Sequence, residues 1–211
     1  MYLYLIRHTS VGVPMGTCYG WTDVPVSDRF EEEAAACKAQ LDGIAFDRVF
    51  TSPLSRAKKL AAYCGFPDAI EDPRIKEMNM GDWEMQRFDE INDPQLKEYY
   101  ENYLDSPTRN GESFRDLYRR VAAFLEELKA TAGADERIAV FCHGGPIICA
   151  LVYAGIVPLE QGYANIPDYA SVTRIKMEAL PGEGRMKDEG PTPPSPRGGS
   201  LSPLGEIKKG A

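Results

Sequence analysis

The chain carries two histidines in 211 residues, and both close a short apolar run: His8 in YLYLIRHTS and His143 in RIAVFCHGG. Near neutral pH an imidazole can attack, accept a proton or donate a hydrogen bond. A lone histidine in such a place reads more readily as a satisfied structural group. Two placed alike weaken that reading. Arg7 stands directly before His8, and DRVFTSPLSRA sets Arg56 just past a third apolar run. A guanidinium fork matches phosphoryl oxygens two at a time. Gly144 and Gly145 follow His143, where backbone N–H groups at a helix start add further donors. Arg7, Arg56, His143 and Gly144 would together make a small basic pocket suited to phosphate. Arg56 taken alone reads equally as a charge on a helix surface.

That pocket exists only if three strand ends converge. Residues 2–6 are apolar or aromatic and form a short buried strand, followed by a long loop from Thr9 to Asp28. FEEEAAACKAQLDG has acids early and Gly43 past its end, which predicts a helix over roughly 28–42. DRVFTSP predicts a second strand, and PLSRAKKLAAYCG a helix with Pro53 at its first position and Gly65 at its stop. RIAVFCHGG and PIICALVYAG repeat the pattern, with Pro146 near the helix start and Gly155 near its end. PQLKEYYENYL and SFRDLYRRVAAFLEELKATAG read as two more helices, expected over the top of the sheet. The second has Phe114, Leu117, Val121, Phe124, Leu125 and Leu128 at helical spacing. SVTRIKME reads as a last strand. Strands alternating with helices imply an α/β fold of three layers, a mostly parallel central sheet with helices on both faces. In open sheets of this kind ligands bind beyond the carboxyl ends of the strands, which is where His8, Arg56 and His143 fall.

The globular pattern covers residues 1–178. A Pro-, Gly- and Ser-rich tail over 179–211 is expected to be disordered. A formal charge of -8 argues against nucleic acid or an anionic membrane as partner. No apolar stretch approaches the length of a membrane helix or a signal peptide core. Five cysteines, odd in number and without a CxxC, read as reduced thiols, so the expected location is cytoplasmic. Other phosphate chemistries lack their signatures: there is no GxxxxGK[ST] loop, no cysteine with an arginine six positions on, and no HxH or HExxH. Neither a metal nor another cofactor is expected, and the expected partner is a small phosphorylated substrate. Covalent catalysis by a histidine remains.

LIRHT, SPLSRA, KEMNMGDWE and VFCHGG, in this order, resemble the motifs of the histidine phosphatase superfamily, whose fold is that of phosphoglycerate mutase. The resemblance spans residues 2 to about 178. It implies His8 as the nucleophile that becomes phosphohistidine, Arg7, Arg56 and His143 as the grip on the phosphoryl oxygens, and Glu77 as proton donor. Without the resemblance Glu77 is one acid among 32 acidic residues. Two positions depart from the family: Thr9 stands where a glycine is usual, and Pro14 where an asparagine is usual. The RHT start combined with CYGWTDVP resembles the alpha-ribazole phosphatase branch, which removes the 5'-phosphate of alpha-ribazole phosphate or the corresponding cobalamin phosphate late in nucleotide-loop assembly. Tyr19, Gly20, Thr22 and Asp23 would then line the pocket mouth, although Tyr19 reads equally as loop packing. Two other readings stand beside this one: a phosphoglycerate mutase-like enzyme or broad sugar-phosphate phosphatase, and a non-catalytic binder of phosphorylated ligands.

Overall fold

Tyr2–Arg7 forms β1, and its side chains alternate between two buried environments. Leu3 and Leu5 join Ile138 and Val140 on one face of the sheet; Tyr4 and Ile6 join Ala139 and Phe141 on the other. A strand apolar on both faces needs cover on both sides, and helices supply it. The computed structural model describes residues 1–177, so the tail expected from residue 179 lies outside the described residues. Five strands form one sheet in the order β3 (Ile70–Glu71), β2 (Arg48–Thr51), β4 (Arg137–Cys142), β1, β5 (Val172–Lys176). Neighbours pair in parallel except β5, which runs antiparallel to β1.

On one face lie α1 (Phe30–Leu41) and α2 (Ser55–Tyr63), which bury Ala34, Cys37, Leu41, Leu60 and Ala61 against the sheet. On the other lie α4 (Phe114–Thr131) and α5 (Gly144–Tyr153). The expected three-layer α/β architecture is therefore present.

Some details differ from expectation. Helix α4 covers a face of the sheet, not its top, with Phe124 edge-on to Phe50 at 5.3 Å. Its six buried apolar side chains, each contributing about 1.5–3 kcal/mol, run from Phe114 to Leu128 and share one core with Phe50, Ile138 and Val140 of the sheet. Helix α3 (Gln95–Glu101) buries only Tyr99. Helix α2 begins two residues after Pro53, at Ser55, whose N–H and hydroxyl donate to Asp23 at 2.9 and 2.8 Å. That distant carboxylate caps the helix in place of a residue next to it in sequence. Helix α5 begins at Gly144, leaving Pro146 within its first turn, where no N–H is needed. Among the described residues no helix is long and apolar enough to cross a membrane.

Candidate active site

The sheet register brings the two histidines together. Arg7 pairs with Cys142 at the ends of β1 and β4, so His8 and His143 leave adjacent strands side by side, with ring centroids 5.0 Å apart. β2 pairs with the far side of β4 and ends at Thr51 opposite Phe141. Ser52 therefore sits beside His143, and Arg56 lies in the first turn of α2.

Both rings are buried, His8 at 2% and His143 at 0% exposure. His8 Nδ1 lies 2.7 Å from the Thr9 carbonyl. A carbonyl only accepts, so Nδ1 carries the proton and the neutral ring keeps a free lone pair on Nε2. Burial first, then the Arg56 and Arg7 charges, hold the His8 pKa well below its ordinary value, against a smaller opposing effect of the Thr9 carbonyl. His8 is thus a neutral imidazole with an available nitrogen. The His143 pKa is held low by burial, then by Arg56, His8, Arg120 and Arg7. Its Nε2 is 2.7 Å from Ser52 Oγ, and that oxygen also accepts from Leu54 N–H at 3.3 Å. Among the described residues the Ser52 hydroxyl proton has no acceptor but Nε2, which puts the His143 proton on Nδ1, a buried atom with no partner.

Arg56, with no exposed surface, is held through its two ends: Nη1 donates to Thr22 O at 3.1 Å and Nη2 to Gly20 O at 2.7 Å, while Nε is buried and unpartnered. Arg7 Nε is likewise buried without a partner, and its guanidinium stacks 3.9 Å from the Tyr169 ring. Arg7 Nε, Arg56 Nε and His143 Nδ1 are therefore three buried donors without acceptors beside one neutral histidine. Buried donors left unpaired are costly, and an anion with several oxygens would satisfy them together. Tyr19 and Tyr169 join hydroxyls at 2.8 Å over the two guanidinium groups.

Glu77 follows a 3₁₀ turn, Pro73–Ile75. Its carboxylate accepts from the N–H of Met78 at 2.9 Å and of Gly145 at 3.2 Å. One of the two glycine N–H groups expected to face a phosphate is therefore engaged by Glu77. A Cβ on Gly145 would lie 2.2 Å from Glu77 Oε1, so only glycine lets the carboxyl sit there.

A cavity of about 170 Å³ opens beside these groups, with Arg7, His8, Glu77, Gly144 and Gly145 on one side. The remaining wall is mostly apolar and aromatic: Tyr19, Met78, Phe88, Tyr99, Tyr163 and Ile166, with Thr17 and Met80. Of the residues expected at the mouth, Tyr19 lines the cavity. Gly20, Thr22 and Asp23 do not, because the first two turn their carbonyls to Arg56 and the third caps α2. Gly20 is required where it stands, since a Cβ would lie 1.9 Å from the Met78 carbonyl. Thr9 is fully buried. Pro14 is exposed, and Thr17 and Tyr19 are what its loop contributes to the cavity. Sequence reasoning passed over Ser52, although it ends β2 as His8 ends β1; it had no signal for Phe88, Tyr163 or Tyr169, which reach the site from distant segments.

Fold and site together define an α/β protein with a buried basic cluster around a neutral histidine, an arrangement able to bind a phosphoryl group and attack it. A family model described as the histidine phosphatase superfamily (branch 1) matches residues 3–184, and the chain belongs to that family of enzymes. Among its relatives, phosphoserine phosphatase 1 of Hydrogenobacter thermophilus is 28% identical over 187 residues, 83% of this chain and 86% of the relative. The adenosylcobalamin/alpha-ribazole phosphatase of Escherichia coli is 33% identical over 141 residues, 61% of this chain and 66% of the relative. The crystal structure of a putative alpha-ribazole-5'-P phosphatase from Escherichia coli superposes with a TM-score of 0.74 at 25% identity, covering 82% of this chain and 89% of that one.

Proposed function

We propose that the chain hydrolyses phosphomonoesters through a phosphohistidine on His8, without a metal, and that its substrate is alpha-ribazole 5'-phosphate or the corresponding cobalamin phosphate. The observation that carries the mechanism is the free Nε2 of His8 beside three buried, unpartnered donors. In the first step Nε2 attacks phosphorus, the bond to the leaving oxygen breaks, and Glu77 gives that oxygen its proton. Arg7, Arg56 and the Nδ1–H of His143 stabilise the charge on the transferring group. In the second step water attacks the phosphohistidine, its proton passes to the Glu77 carboxylate, and the N–P bond breaks to release phosphate and neutral His8. Because desolvation and neighbouring cations favour the neutral imidazole, His8 needs no separate base to remain a nucleophile. A pure binder would have no use for both a nucleophile and a proton donor.

The wall of the cavity supports the substrate. Apolar and aromatic side chains suit a flat apolar base such as the benzimidazole of alpha-ribazole. Phosphoserine, the substrate in the name of the Hydrogenobacter relative, and 3-phosphoglycerate both bring a carboxylate. Arg7, already beside the phosphoryl position, is the only lysine or arginine among the described residues lining the cavity.

Phosphate release from alpha-ribazole 5'-phosphate, phosphoserine, 3-phosphoglycerate and p-nitrophenyl phosphate, with EDTA present, tests both parts in wild type and His8→Ala. The expected result is highest kcat/KM on alpha-ribazole phosphate and loss of all turnover in the variant. Preference for phosphoserine would discard the substrate and keep the mechanism. Turnover by His8→Ala at the wild-type rate, or loss of activity in chelator, would discard the mechanism.

A further inference from the structure

Glu77 rides on backbone without regular structure, since residues 76–80 belong to no helix or strand. A proton donor must nevertheless be held within a fraction of an ångström. The holding comes from one side chain of α4. Arg120 Nη1 donates to the carbonyls of Arg74 at 2.8 Å and Lys76 at 2.7 Å. Its Nη2 donates to the carbonyl of Glu77 itself at 2.7 Å and to Glu112 at 2.8 Å, and Nε donates to Glu112 at 2.8 Å. All five N–H groups of the guanidinium thus have acceptors, which leaves it a single orientation.

Glu112 makes the clamp two-sided. Its carboxylate pairs with Arg120 in a fork, both side chains being 16% exposed, and also accepts from the N–H of Asn79 at 2.8 Å. Backbone on both sides of Glu77 is therefore tied to Arg120 in the first half of α4 and to Glu112 just before it, and the start of α4 is fixed by a reciprocal cap between Ser113 and Asp116. The remaining lone pair of the Glu77 carbonyl takes Trp21 Nε1–H at 2.8 Å. Helix α4 packs on α5, which begins with the Gly145 N–H that receives the Glu77 carboxylate.

We infer that Arg120, locked by Glu112, is the positioning residue that sets the Glu77 carboxyl at the leaving oxygen; the inference rests on the proposed role of Glu77 as proton donor. A lysine could not replace the arginine, because three donors on one nitrogen cannot reach three carbonyls and a carboxylate in this plane.

The test uses leaving groups. A poor alkoxide leaving group needs the proton and p-nitrophenolate hardly does, while a general loss of fold affects both esters alike. The quantity is kcat/KM, which covers the steps through departure of the leaving group and is blind to later hydrolysis of the phosphohistidine. Wild type, Glu77→Gln, Arg120→Met and Glu112→Gln are compared on p-nitrophenyl phosphate and on the alkyl phosphate that wild type turns over best. Glu77→Gln is expected to lose about 10²–10⁴-fold on the alkyl ester and far less on the aryl ester. Arg120→Met is expected to repeat that split with a loss of about 10² on the alkyl ester, and Glu112→Gln to repeat it more weakly. If circular dichroism shows that Arg120→Met does not fold, Glu112→Gln decides. A split in Glu77→Gln with equal losses, or none, in the folded clamp variants overturns the positioning role alone. Absence of the split in Glu77→Gln overturns the proton-donor reading and this inference with it.

Discussion

Replacing Gly145 by alanine should damage catalysis far more than folding. The added methyl would lie 2.2 Å from Glu77 Oε1 and 2.8 Å from Leu117 Cδ2. Both atoms are the ends of side chains, which can yield without moving the backbone. Leu117 can shift by a few tenths of an ångström, but the Glu77 carboxyl must retreat by about 1 Å to restore an ordinary contact. Its backbone cannot follow, being tied by Arg120 and Trp21, so the carboxyl rotates off its two N–H donors and away from the leaving oxygen. A misplacement of about 1 Å costs on the order of 10² in rate, or about 2.7 kcal/mol of transition-state stabilisation. Thermal unfolding should change little, because no buried group loses its volume. The assay is kcat/KM on an alkyl phosphate beside p-nitrophenyl phosphate, together with the melting midpoint. Wild-type kcat/KM on the alkyl ester in folded Gly145→Ala would refute the placement of Glu77. A large fall in the midpoint with equal losses on both esters would refute the claim that the clash is local.

Other consequences follow from the same geometry. Ser52→Ala removes the hydroxyl that sets the His143 tautomer and should lower kcat/KM about tenfold on aryl and alkyl esters alike; a split between the esters would contradict a role confined to the phosphoryl group. Arg56→Ala removes a preorganised donor and should cost about 10²–10³ in kcat, whereas activity within about tenfold of wild type would remove Arg56 from the phosphate site. The two buried histidines should also give the fold an acid limb. Their folded pKa values lie well below 6.5, so between those values and about pH 6.5 the unfolded chain binds protons that the folded one refuses. Stability then rises with pH across that window and levels off above it, by up to about 1.4 kcal/mol per pH unit for each histidine. Denaturant titrations from pH 5 to 7 should show this slope reduced in His8→Ala, and an unchanged slope would mean that His8 takes up protons in the fold as it does in the unfolded chain.

Much of the site was legible because its residue types are rare and their places repeat. Two histidines, each at the end of an apolar strand, are a pattern that burial and sheet chemistry make meaningful before any coordinates exist. The α/β class, the helix stripe of α4 and the placement of Arg56 after β2 follow from the same local rules. Local rules stop at residues whose partners are distant. Asp23 looked like a pocket residue until the fold set it on the start of α2. Arg120, with Arg119 beside it in the same helix, carries no local signal, because five hydrogen bonds to residues 74, 76, 77 and 112 leave no trace in spacing.

What the sequence by itself determined is thus the main strands and helices, though not the two-residue β3, and the chemistry at their ends, both encoded within a few neighbouring residues. Only the tertiary structure decided which nitrogen of His8 is free, which donors lack partners, and how Glu77 is held. Those depend on the register of β1 against β4 and on loops closing from opposite ends of the chain, contacts that fold cooperatively and belong to no single segment.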